Sequence, residues 1–207
     1  MIYLYLLEKM KVMYYDTLYL MNSLIDYASP KSKLTNMVKS GELIRIRRGL
    51  YVKGNDYDRK TLANVIYGPS YISFEYALSW YGLIPERVEA VTSAVYNKNK
   101  DREFDTPAGR FVYRYINPAV YFYGIVREEL NGEPFLVASK EKALCDLLYK
   151  IKKSDAGYDI ENLLFNDLRI DEAELLSLSK NDIGFLAQLY GKIIITKLSE
   201  YLNKRIR

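Results

Sequence analysis

The sequence predicts an α+β protein in two parts, and three observations predict it. Residues 29–53 read as a short helix, a glycine stop and a basic two-stranded hairpin. Residues 88–138 hold extended apolar runs separated by turn signals, which predicts a small antiparallel sheet. From Ser139 onward the apolar residues recur at helical spacing, so the C-terminal part is helical. A helix with a polar, basic face followed by an arginine-tipped hairpin is the form of a winged helix-turn-helix. The expected division is therefore a winged helix-turn-helix at 1–55 and a larger α+β domain at 56–207.

The first part builds up in order. Residues 2–14 suit a first helix with Leu4, Leu7 and Met10 facing inward. Asp16 or Thr17 can cap a second helix over 18–25, whose inner face would be Leu18, Met21 and Ile25. Tyr27-Ala28 turns the chain into the third helix. There Ser29 offers a capping hydroxyl, and Pro30 suits the first helical position, where no amide partner is needed. Leu34, Met37 and Val38 share one face; Lys31, Lys33, Thr35, Asn36 and Lys39 fill much of the rest. Gly41 can adopt the left-handed conformation that ends a helix. Leu43–Arg47 then alternates, with Ile44 and Ile46 on one side and Arg45 and Arg47 on the other. Arg48-Gly49 makes the turn into Leu50-Tyr51-Val52. The polar stretch Lys53-Gly54-Asn55-Asp56 marks the boundary.

The second part opens with a helix over 58–67, stopped by Gly68-Pro69. A short extended lead-in follows at 70–72, then a helix capped by Ser73 that runs to Trp80. Strands are expected at 88–96, 110–116, 120–126 and 134–138. Residues 97–109 read as a charged loop with a short extended piece at Glu103-Phe104. Asn131-Gly132 is a tight hairpin signal. Ser139 caps a helix over 140–152, and short acid-led helices follow at 159–165 and 171–178. A last helix over 182–202 carries Ile183, Leu186, Tyr190, Ile193 and Ile194 on its apolar face. Eight acids against two bases between 154 and 190 contrast with the basic first part.

Composition excludes several chemistries. The chain has no histidine, so histidine general bases, triads and metal sites are absent. Its single Cys145 allows no internal disulfide, and it sits in an apolar helical pattern that suits a buried structural thiol. Residues 2–7 are too short an apolar run for a secretory signal, and no stretch suits a transmembrane helix. A cytoplasmic protein is expected. Ser73 with Glu75 reads as a helix cap plus a favourable first-turn acid. Ser139 with Lys142 has the spacing of a Ser-Lys nucleophile pair without its partner motifs. Asp105, Glu141 and Lys142 could be forced into a metal-nuclease set, but separated acids are common. No glycine-rich phosphate loop occurs. The expectation is a protein that is not an enzyme, with no catalytic residue, metal or cofactor.

The basic first part suits duplex DNA instead. Between 31 and 60 nine bases stand against three acids, whereas the whole chain nets +4. A helix fits the major groove, where Asn and Ser/Thr read base edges, and hairpin arginines lie against phosphates or in the minor groove. The alternative is a protein-binding module in which this unit and the acidic C-terminal helices form a partner interface, without sequence-specific DNA binding.

Two sets of residues also resemble a known family. SKLTNMVKSGELIRIRRGLYV is similar to the N-terminal winged helix of the antitoxins of type IV AbiE (abortive infection) toxin–antitoxin systems, which act in phage defence. PSYISFEYALSWYGLIPE, VTSAV, FDTPAGRFVYRYI, YGI and FLVASKEKALCDLLY resemble, in order, blocks of their C-terminal domain. The resemblance covers roughly 17–150. It implies a transcriptional repressor that binds inverted repeats upstream of its own operon. It also implies a C-terminal domain that counters a co-encoded nucleotidyltransferase-like toxin, without a stable complex. By position, DNA contacts would fall on Lys31, Ser32, Lys33, Thr35, Asn36, Lys39, Arg45, Arg47 and Arg48. Glu75, Lys140, Glu141, Lys142 and Asp146 lie in the matching C-terminal blocks and are candidates for toxin neutralisation.

Overall fold

A computed structural model of the chain describes residues 14–54, 57–152 and 159–205. The helix expected over 2–14 lies almost wholly outside the described residues.

In the first part, β1 (Tyr15–Asp16) leads into α1 (Thr17–Ser23), where the Asp16 carboxylate accepts from the Tyr19 amide at 2.7 Å. α2 (Pro30–Lys39) follows, and Gly41, at φ +78°, turns the chain into β2 (Leu43–Arg47) and β3 (Leu50–Lys53). The strands form an antiparallel sheet in the order β1-β3-β2; the third strand was not foreseen. Ser29 makes no side-chain bond to the helix backbone; its hydroxyl donates to the Ser32 hydroxyl at 2.8 Å. The inner face of α1 also differs from expectation. Leu20 and Leu24 are buried with Leu34, Leu43 and Tyr51, while Leu18 and Ile25 are 70% and 71% exposed.

The hairpin has a second core on its other face. Ile46, Leu50 and Val52 belong to the large core of the second part, with Ile44 packed against it. Alternation along a strand sends successive side chains to opposite faces, so one hairpin is buried twice. The boundary expected at 53–56 is thus crossed by continuous apolar packing.

The second part is a six-stranded sheet in the order β6-β7-β5-β4-β9-β8. α3 (Arg59–Ile66) is capped by Asp58 and leads to β4 (Ser70–Ile72) and α4 (Phe74–Trp80). β5 (Val91–Val95), β6 (Arg102–Thr106) and β7 (Gly109–Tyr115) follow, then α5 (Pro118–Tyr121), β8 (Ile125–Leu130) and β9 (Glu133–Ala138). The hairpins β6–β7 and β8–β9 and the pair β4–β5 are antiparallel. Two parallel junctions, β5–β7 and β4–β9, join them into one sheet.

Three sequence expectations are corrected here. The strand expected at 120–126 begins only at Ile125: Asn117 accepts from the Ala119 amide, Pro118 starts a helical turn, and Gly124 at φ +67° redirects the chain into β8. The short extended piece expected at Glu103-Phe104 within a charged loop is the middle of a longer edge strand, β6. The last helix is two, α9 (Lys180–Tyr190) and α10 (Ile193–Arg205), divided at Gly191, which takes the left-handed conformation. Ile193, expected on the apolar face, is 51% exposed. Asn131 and Gly132 both have positive φ, as their tight hairpin requires.

α3 lies on the sheet face carrying Ile72, Ser93 and Tyr113; the Tyr113 hydroxyl donates to Ala63 O at 2.7 Å. On the other face are α4 and α6 (Lys140–Lys150), the latter capped by Ser139. α9 and α10 pack behind α6. Between them run α7 (Ile160–Asn162), a π-helical turn at Leu163–Asp167 and α8 (Glu172–Leu176). No helix among the described residues is long and apolar enough to cross a membrane.

Candidate nucleic-acid interface

α2 packs through Leu34, with Met37 and Val38 partly covered, and this fixes which side faces solvent. At 100° per residue the opposite side centres on Ser32, Thr35, Asn36 and Lys39. All four are exposed, and so is Lys31 on the flank. Lys33 lies on the other flank, its ammonium 5.1 Å from the centre of the Tyr27 ring. The Thr35 hydroxyl donates to Lys31 O at 2.9 Å and keeps its lone pairs outward. These six residues bring hydroxyl, amide and ammonium groups onto one side and its flanks without an acid among them.

The hairpin supplies the neighbouring charges. Arg45, Arg48 and Lys53 are exposed and make no ion pair among the described residues. Arg48 sits at the turn, where Gly49 has φ +87°. Arg47 is different. Across the bulge between Arg45 and Arg47, its guanidinium donates to Ile66 O and stands 5.8 Å from the Phe104 ring centre. Arg47 is exposed as well, but its head group is tied to α3 and β6, which sets it apart from Arg45 and Arg48. Arg59 and Lys60, counted in the basic stretch, are committed too. Arg59 donates to Glu89 O and Arg110 O, and Lys60 pairs with Asp58 at 3.1 Å.

Arg47→Ala is therefore expected to lower stability by about 1–2 kcal/mol, from one hydrogen bond and one cation–π contact. The salt dependence of DNA binding should stay as in the parent. Urea unfolding and a salt titration measure the two effects separately.

The five C-terminal candidates are brought together only in part, and all are engaged internally. Glu75 receives both bonds from Arg114 Nη1 at 2.8 Å, and that guanidinium lies over the Phe74 ring. Lys140 pairs with Glu174 at 2.6 Å, and Glu141 accepts from the Ser179 amide at 3.0 Å. Lys142 and Asp146 are completely buried, which corrects the expectation that they could touch a toxin. They pair at 2.9 Å within a closed network. The Lys142 ammonium also donates to Val120 O at 2.8 Å and to the Tyr190 hydroxyl. Asp146 accepts from Tyr190 on one oxygen, and from Tyr71 at 2.9 Å and Ser73 at 2.6 Å on the other. Three ammonium hydrogens meet three acceptors, and the carboxylate takes four donors.

Burial, followed by the charge of Asp146, raises the Tyr71 and Tyr190 phenols, which keeps both as donors. Burial likewise pushes the neighbouring Cys145 thiol up, as a structural cysteine requires. Ser73 does not cap α4 as expected; its hydroxyl belongs to this network. The network was missed in the sequence because Lys and Asp four apart on a helix normally mark a solvated surface pair.

The acids of the C-terminal helices are also partly spent. Asp159 and Asp171 cap α7 and α8, and Glu161 pairs with Arg205 at 3.1 Å. No group of three potential metal-binding side chains occurs among the described residues.

No protein-family model matches the chain, and no curated protein matches it.

Proposed function

We propose that this protein is a duplex-DNA-binding repressor of its own operon, acting as the antitoxin of a type IV toxin–antitoxin pair. The observation that carries the DNA-binding half is the exposed, acid-free face of α2 beside the exposed arginines of the hairpin. The strand order β1-β3-β2, with α1 and α2 between β1 and β2, is the arrangement of a winged helix and supports that reading. α2 would enter the major groove, where Asn36 with Lys33 or Thr35 reads bases. Lys31, Lys39, Arg45, Arg48 and Lys53 would supply phosphate affinity that is independent of sequence.

The antitoxin half rests on the ordered blocks shared with the AbiE antitoxins. Within those blocks, the internal ties of Glu75, Lys140, Glu141, Lys142 and Asp146 favour roles in holding the C-terminal fold. Countering the nucleotidyltransferase-like toxin would then use other surface, with these residues as its scaffold.

A reporter driven by the segment upstream of the gene tests repression. The parent chain should silence it, and an Arg45→Ala/Arg48→Ala variant of unchanged stability should release it. Equal repression by both would contradict the hairpin's role. Co-expression with the neighbouring toxin tests the second half: growth rescued by the parent chain supports it, and no rescue sinks it.

A second reading, a protein-binding module, is favoured by the exposure of Leu18 and Ile25 beside α2. It predicts a stoichiometric protein partner and no preference for the upstream segment.

A further inference from the structure

The positive surface does not end at the hairpin. Arg47 lies against Phe104 of β6; the Phe104 and Tyr67 ring centres are 5.6 Å apart, and the Lys98 ammonium stands 5.3 Å from the Tyr67 ring centre. This chain of contacts runs from the hairpin turn to the β5–β6 loop and the start of β6, where Lys100 and Arg102 are exposed. Lys98, Lys100 and Arg102 make no ion pair among the described residues.

The strand pleat sorts the neighbouring charges. Arg102 and Phe104 lie opposite Tyr113 and Phe111, on the face that carries Tyr67, α3 and Arg47. Glu103 and Asp105 point to the other face, where both meet Arg110. Asp101, the remaining acid of the loop, accepts from the Tyr115 amide at 2.8 Å and pairs with Lys150 at 3.2 Å. The acids are therefore neutralised or turned away, while the cations beside the hairpin are left to solvent.

We propose that Lys98, Lys100 and Arg102 form a second phosphate-binding site, which holds the duplex backbone flanking the stretch read by α2. This rests on the DNA-binding reading above and extends it into the second part of the chain. The large core that takes in Ile46, Leu50 and Val52 holds the two sites in register, so DNA can engage both without a hinge closing. Each neutralised phosphate releases counterions, so the loop should steepen the salt dependence only where the duplex reaches it.

The test compares the full chain with Lys100→Ala/Arg102→Ala, which leaves the Lys98–Tyr67 contact in place. Two duplexes from the upstream segment are used, one of about a single helical turn and one of about three turns. On the long duplex the variant should bind several-fold more weakly, with a log–log salt slope shallower by about 2. On the short duplex the two proteins should bind alike. Equal loss on both duplexes, or no loss on the long one, overturns the second site while parent binding leaves the DNA-binding reading intact. No binding by the parent chain overturns both. Matching urea midpoints for parent and variant assign any loss to charge; a lowered midpoint directs the comparison to Lys100→Gln/Arg102→Gln, for which the same outcomes decide.

Discussion

Lys142→Met is expected to destabilise the protein by about 3–5 kcal/mol, because it leaves the Asp146 charge buried without its counterion. Tyr71, Ser73 and Tyr190 still donate to that carboxylate, but three neutral donors do not replace an ammonium at 2.9 Å. A domain of this kind has about 5–15 kcal/mol in total, so the loss consumes a large share of the margin. Lys142→Met/Asp146→Leu should recover much of it, since apolar replacement of a whole buried pair is often neutral. The shared hairpin adds a second expectation. Loosening the large core removes the support beneath Ile46, Leu50 and Val52, so the α2 unit should unfold in the same transition. Urea unfolding followed by far-UV dichroism and by tyrosine fluorescence checks both points. Two separated transitions would show that the hairpin does not couple the cores.

Asn36→Ala should reduce affinity for the preferred DNA site by about 1–3 kcal/mol, roughly 5- to 150-fold, while non-specific affinity holds. Asn36 is exposed and makes no side-chain hydrogen bond among the described residues, so the urea midpoint should not move. Lys39→Ala, on the same face, should weaken binding to all sequences alike and flatten the salt slope by about one. Competition titrations with preferred and scrambled duplexes separate the two behaviours. Similar losses on both duplexes for Asn36→Ala would remove it from base reading.

Local signals made the candidate interface legible. Pro30 at a helix start, Gly41 at its end and the alternation of 43–47 are decided within a few residues, and α2, β2 and β3 follow them closely. α1 shows where such signals run out. Leu18, Leu20, Met21, Leu24 and Ile25 allow two apolar stripes, and only packing against Leu34, Leu43 and Tyr51 selects Leu20 and Leu24. Residues 120–126 have strand-forming composition, yet Asn117-Pro118 carries the same start signal that served α2, and the local cap prevailed over β-propensity until Ile125, where β8 begins. β6 was legible only at Glu103-Phe104, because the rest of an edge strand with alternating charges looks like a loop. The parallel junctions, the double burial of the hairpin and the destination of Lys142 depend on contacts between distant segments. Sequence periodicity carries no record of those contacts.

The most direct measurement is a salt titration of binding to a labelled fragment from immediately upstream of the gene, against a scrambled duplex of equal length. A sequence-specific repressor predicts clear preference for the upstream fragment and a steep salt slope. Equal, weak binding to both duplexes, or no binding at low salt, would contradict it.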